Sequence, residues 1–220
     1  MKFSFSAPSL LAHVSSIVLL GFSIPMVMPI LAFSNTATCP TLKPALLNTS
    51  TDFIAMGHFQ EDCKKDSLGA VASFSQSIRL NPQAEEPYYH RANSYYNLGN
   101  YQAAVVDYTE VIRQNTGKFG FSRDAYWNRA RAYENLGEKQ KAIADLTQLI
   151  GDGSTNAEEY LLRGELHKDL GNKTSAKADY QAAEKLLQQY LSGNFGSGMT
   201  DVRYQQMLEQ VRIELLELNS

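Results

Sequence analysis

Two cysteines and four histidines are the side chains of this 220-residue chain best suited to nucleophilic or metal chemistry, and their spacing supports little of either. Cys39 and Cys63 have no histidine pair beside them, and two thiolates cannot complete a structural zinc site. In an exported chain they could join as one disulfide. Sequence does not fix a Cα separation, so two unpaired thiols stand as the equal alternative. His13, His58, His90 and His167 are scattered, and none forms a metal-type pair at helical spacing. The stretch Gly164–Thr174 ends in GNKT, which faintly resembles a phosphate loop but lacks the adjacent Gly-Lys and any preceding strand. No nucleophile, base and orienting group cluster, so the chain reads as a non-enzyme without cofactor or metal.

Charged residues show more order. Arg91, Arg129 and Arg163 are each followed sixteen residues later by an acid: Asp107, Asp145 and Asp179. Three identical spacings predict that each arginine meets its aspartate across a helical hairpin, with bidentate geometry within reach. The alternative is three exposed pairs that merely share equivalent positions in homologous segments.

Those segments must position everything else. Asp52–Pro82, Tyr88–Ile112, Tyr126–Ile150 and Tyr160–Leu186 align as four copies, with Ile54, Tyr88, Tyr126 and Tyr160 spaced 34, 38 and 34 residues apart. The extra residues of the middle spacing fall within Asn115–Ser122, between hairpins, where an insertion costs little. Tyr126–Ile150 is the most complete copy: two short amphipathic helices break at Gly137, with Ala130 and Ala142 where the helices must touch. Such a hairpin cannot bury both faces alone and needs neighbours.

The pattern resembles the tetratricopeptide repeat (TPR) family. Ala92, Tyr95, Gly99, Ala104 and Tyr108 carry the resemblance in one copy, and Ala130, Tyr133, Gly137, Ala142 and Leu146 in the next. The fourth copy has Gly164, His167, Gly171, Ala176 and Tyr180. The first copy matches at Ala70, Phe74 and Asn81-Pro82 but departs at Glu61 and Lys65, where a Tyr and a Gly are expected. The resemblance implies an all-α fold: a right-handed α-solenoid of about four hairpins (51–84, 85–118, 123–156, 157–190). A connector (191–200) and a C-terminal capping helix (201–218) follow. In that helix Val202, Met207, Val211, Leu215 and Leu218 approximate an apolar stripe, Glu209, Arg212 and Glu217 face water, and Thr200 is the expected N-cap. An exposed partner-binding helix is the other reading of 201–218.

Family members bind protein segments on the face of their first helices. Carried onto this chain, that face holds Tyr89, Asn93, Tyr96, Trp127, Asn128, Arg131, Asn135 and Glu165, with Leu161, Glu134 and Lys168 nearby. Asn side chains can both donate to and accept from a peptide backbone, and Tyr and Trp are frequent interface anchors. Some of the aromatics could instead pack against adjacent hairpins. Asn93 and Asn128 match the asparagines of the clamp with which some members hold a chaperone's terminal carboxylates. The cationic positions of that clamp are Tyr89, Glu158 and Leu162 here, which argues against it.

Composition bounds the rest. A net charge of −3 without basic clusters argues against nucleic-acid binding. Residues 1–34 hold one Lys, no acid and a long apolar stretch from Leu10 to Phe33, which reads as a secretory signal peptide or an uncleaved membrane anchor. Asn35–Ser50 reads as a linker. The sequence therefore predicts an exported or membrane-anchored scaffold or assembly factor that binds another protein or peptide. A self-associating structural subunit is the second reading.

Overall fold

Nine α-helices, and no strand, make up the described residues of the computed structural model, which are 39, 47–114, 120–193 and 198–219. The expected signal or anchor segment and most of the 35–50 linker lie outside the described residues. The helices pair as α1 (Ser50–Asp62) with α2 (Ser67–Leu80), α3 (Glu85–Asn97) with α4 (Tyr101–Gln114), α5 (Phe121–Asn135) with α6 (Lys139–Gly151), and α7 (Ala157–Asp169) with α8 (Lys173–Ser192). A ninth helix, α9 (Gly198–Asn219), packs on α8. Each helix packs against its neighbours in sequence, which makes the chain a helical-repeat solenoid.

The break between paired helices has one chemistry in three hairpins. After α3, Gly99 N donates to Tyr96 O and Asn100 N to Tyr95 O, satisfying carbonyls that the helix end leaves open. The same two bonds recur at Gly137–Glu138 and Gly171–Asn172. All three glycines hold φ between 72° and 76°, a region costly to residues with a Cβ.

Close packing explains the small residues. Ala92 and Ala104, Ala130 and Ala142, and Ala176 are fully buried, and Tyr108, Leu146 and Tyr180 fill the space between the helices. At Gly164 even a methyl group would stand 2.8 Å from Tyr180 Cε1.

The first hairpin is complete, but its register differs from the alignment on Ile54. Gly57, not residue 58, is the small residue: a Cβ there would lie 2.4 Å from the buried Phe74 ring. Small residue and partner are sixteen apart in the later hairpins, as in Ala92 and Tyr108, but seventeen apart here. The extra residue enters the turn, where Lys64 N and Asp66 N reach back to Phe59 O and Gln60 O. Lys65 occupies the left-handed position (φ 54°) that glycine fills in the other hairpins. A disulfide joins Cys63, at the end of α1, to Cys39.

Each of the three arginines grips its aspartate with two parallel hydrogen bonds. Arg129 Nε and Nη2 donate to Asp145 Oδ2 and Oδ1 at 2.8 and 2.7 Å. Arg91 makes the same fork to Asp107 at 2.7 and 2.8 Å, and Arg163 to Asp179 at 2.9 and 2.6 Å. All three aspartates are buried. Burial raises the Asp107 pKa above its ordinary value, against the pull of the Arg91 hydrogen bonds. The remaining Nη1 reaches into the preceding hairpin: Arg91 to Ser75 (3.0 Å), Arg129 to Thr109 (2.9 Å), Arg163 to Thr147 (3.2 Å). Each guanidinium thus joins three helices. Arg91 and Arg129 are also flanked by rings, Tyr88 and Tyr95 in one case, Tyr126 and Tyr133 in the other.

The terminal helix departs from expectation at its start. It begins at Gly198, so Thr200 lies inside it rather than capping it. Val211 and Leu208 are the buried residues, whereas Val202 is 52% exposed and stands outside the apolar cluster between α8 and α9. Arg203 pairs with Glu158 near the start of α7 (2.7 Å), and Lys168 near the end of α7 meets Glu214 and Glu217. Helix α9 therefore runs alongside α7 in the same direction, where the first helix of a fifth hairpin would lie.

Candidate partner-binding groove

The first helices of successive hairpins project a row of polar and aromatic residues, which the fold sorts into three groups. In the first group, Asn93 Oδ1 accepts from Tyr108 Oη (2.6 Å) and from Asn128 Nδ2 (3.3 Å). Asn128 also donates to Tyr89 Oη (3.4 Å), and Tyr89 stacks on Phe121 with centroids 4.7 Å apart. Tyr89, Asn93 and Asn128 thus satisfy one another between α3 and α5. Their polar atoms are committed to packing the two hairpins together.

A second group lies further along the same helices. Asn135 Nδ2 donates to Tyr96 Oη (3.1 Å) and to Arg131 O (2.8 Å), while the Arg131 guanidinium lies 5.6 Å from the Tyr96 ring centroid. The asparagine supports; the arginine and tyrosine remain at the surface.

The third group forms a cleft of about 280 Å³ between α5, α7 and α9. Trp127, Leu161 and Met207 give it apolar walls, and Arg131, Glu134 and Glu165 charge its rim. Arg203 is committed to Glu158, but neither Glu134 nor Glu165 forms an ion pair among the described residues. Partial desolvation raises the pKa of Glu165 above its ordinary value, and the charges of Glu134, Glu214 and Asp169 raise it further. Glu134 is raised by the same desolvation, with Arg131 opposing. The cleft therefore holds two carboxylates that feel the charges of Arg131 and Lys168 but pair with neither. Leu161 and Glu134 lie on the expected face, but the contribution of α9 through Arg203 and Met207 is not marked by the four-copy alignment. Its one signal is Tyr204-x3-Leu208, which repeats the spacing of Tyr88 and Ala92 with a large residue in the small position.

The histidines are not all scattered. His58 on α1 and His90 on α3 meet with ring centroids 4.2 Å apart, and Glu86 stands one turn before His90. Sequence spacing hid the pair because its members lie on different hairpins. Burial, with the neighbouring His58, lowers the His90 pKa to about 4, and contact with His58 lowers that of Glu86.

Sequence profiles of the tetratricopeptide repeat match residues 89–157 and 157–188, which together cover the last three hairpins. No curated protein matches the chain in sequence. Among solved structures, the MamA protein is similar over 77% of this chain and 89% of its own (TM-score 0.59, 18% identity). A tetratricopeptide repeat protein from Parabacteroides merdae aligns over 77% of this chain and 63% of its own (TM-score 0.56, 23% identity). YrrB, described as having an unusual peptide-binding site, aligns over 77% and 86% (TM-score 0.56, 13% identity). No helix among the described residues is long and apolar enough to cross a membrane.

Proposed function

Because the chain is a tetratricopeptide-repeat protein, we propose that it holds a segment of another protein in the cleft between α5, α7 and α9, as a scaffold or assembly factor acting outside the cytoplasm or at a membrane. The observation that carries this reading is the pairing of an aromatic wall, Trp127, with two carboxylates that form no ion pair among the described residues, Glu134 and Glu165. Crowding acids together without a directly paired counter-ion costs free energy that a cationic ligand returns. The segment that fits is a short one carrying Lys or Arg beside an apolar residue, the apolar group against Trp127 and Leu161 and the cation between the acids. A peptide-binding site in YrrB, a protein of the same fold, supports this use of the architecture. The Cys39–Cys63 disulfide supports an oxidising compartment, in agreement with the apolar N-terminal segment.

Crosslinking in the native compartment, followed by identification of captured proteins, tests this reading. Trp127→Ala and Glu165→Gln should each abolish capture of the same partner while the far-ultraviolet circular dichroism stays native. Glu165→Gln should also raise Tm at neutral pH. A carboxyl whose folded pKa is raised binds its proton more tightly when folded, so stability falls as pH rises through that pKa, and glutamine removes the penalty. An unchanged capture profile for both variants would overturn the groove assignment.

A further inference from the structure

We propose that His58, Glu86 and His90 form a binding site for a divalent transition-metal ion of the zinc class, which ties the first hairpin to the second. The donor atoms of these three residues all lie within 4.8 Å of one another. Around one tetrahedral zinc, ligand atoms about 2.0–2.1 Å from the metal stand roughly 3.3 Å apart, a contraction that small side-chain rotations supply. Two imidazoles and one carboxylate suit zinc and its neighbours in the first transition row, whereas calcium and magnesium prefer all-oxygen sets.

Three features favour a built site over a chance meeting. First, Glu86 and His90 stand one helical turn apart on α3, so one short rigid stretch supplies two of the three donors. Second, the buried Phe74 ring stacks on His90 (centroids 5.7 Å apart, interplanar angle 25°) and meets His58 edge-on (5.6 Å), which limits how both imidazoles can turn. Third, the site is open: His58 and Glu86 side chains are 38% and 31% exposed, and a cavity of about 380 Å³ lined by Glu61, Asp62 and Asn93 adjoins both histidines. Glu61 and Asp62 carry the charge that draws a cation in. Glu61 Oε1 is also buried without a hydrogen-bond partner among the described residues. His58 Nε2 and Glu86 Oε1 are 3.9 Å apart, too far for a direct hydrogen bond and close enough for a shared ion. Three protein ligands leave a coordination position free towards the cavity, the arrangement of zinc sites that accept a further ligand.

The test uses the full chain, purified without an affinity tag, stripped with chelator and titrated with Co²⁺. Visible ligand-field bands should grow to one equivalent, collapse when Zn²⁺ is added, and be accompanied by a Tm that rises with Zn²⁺ concentration. Glu86→Gln and His58→Ala should each weaken Zn²⁺ binding by about tenfold or more. His90→Ala should abolish it, and because His90 packs on Phe74 the two more exposed variants provide the decisive measurement. Absence of the bands, or Zn²⁺ affinity unchanged in both Glu86→Gln and His58→Ala, would overturn the site.

Discussion

At the scale of single residues, the arginine forks are the most regular polar chemistry in the molecule. Arg129 and Asp145 have side chains 14% and 7% exposed, so neither could shed its partner and be rehydrated without opening the hairpin. Removing one member of such a pair costs about 3–5 kcal/mol, while replacing both with apolar groups of similar size is often close to neutral. Asp145→Ala should therefore lower the unfolding free energy by about 3 kcal/mol or more, and Arg129→Met with Asp145→Leu should recover most of that loss, as read by urea denaturation. A double variant as unstable as the single one would mean that the fork is needed for packing rather than for charge balance. The sixteen-residue spacing is legible in the sequence because both members belong to one hairpin, whose turn length is fixed. The third contact is not: Thr109 precedes Arg129 by twenty residues, whereas Ser75 and Thr147 precede their arginines by sixteen, because the extra residues between the second and third hairpins fall inside that interval. The same barrier hid His58 and His90, which meet directly across hairpins beside Phe74.

Among the elements, α1 is where sequence and structure diverge most. Its departure at Glu61 looks like a failing repeat when it is aligned on Ile54, because one inserted turn residue displaces every position of α1 by one, whereas Lys65 does replace the turn glycine. Shifted back, Gly57 and Phe74 occupy the roles of Ala92 and Tyr108, and Gln60 takes the place of Tyr95. Gln60 contacts Ser73 there, where the other hairpins hold a buried aspartate. In place of an arginine fork the first hairpin has neutral contacts such as Ser50–Ser77 and a covalent tie, since closing a loop of 24 residues by the Cys39–Cys63 disulfide is worth about 3 kcal/mol of unfolded-state entropy. Lys65 opposes this. A left-handed residue with a Cβ costs about 1–2 kcal/mol, from which the greater unfolded freedom of glycine, roughly 0.5–1 kcal/mol, must be subtracted. Lys65→Gly should stabilise the protein by about 0.5–1 kcal/mol, visible as a higher urea midpoint with unchanged slope. A lower midpoint would show that the Lys65 side chain contributes more than its backbone costs.

Across the whole molecule, α9 couples stability to recognition. A solenoid's last hairpin presents an apolar face that no further repeat covers, and here Val211 and Leu208 cover it by packing on Tyr180, Ala183 and Leu187. The same helix turns Arg203 and Met207 towards Trp127, so the element that closes the core also supplies a wall of the cleft. Its hold rests on the apolar contact. Burial of a residue such as Val211 is worth roughly 1.5–3 kcal/mol, whereas exposed ion pairs such as Arg203–Glu158 contribute at most about 1 kcal/mol each. Val211→Asp removes the first contribution and adds an unpaired charge beside Tyr180, more than the remaining pairs can offset. Amide exchange in 198–219 should then rise to nearly that of an unfolded segment while α3–α6 stay protected, because a repeat array loses its end before its middle. Partner capture should fall in parallel, although Trp127 and Glu165 are untouched. The milder Val211→Ala should give a partial rise in exchange and a partial loss of capture. Rapid exchange of α9 with full capture would show that the cleft functions without its third wall and would confine recognition to α5 and α7.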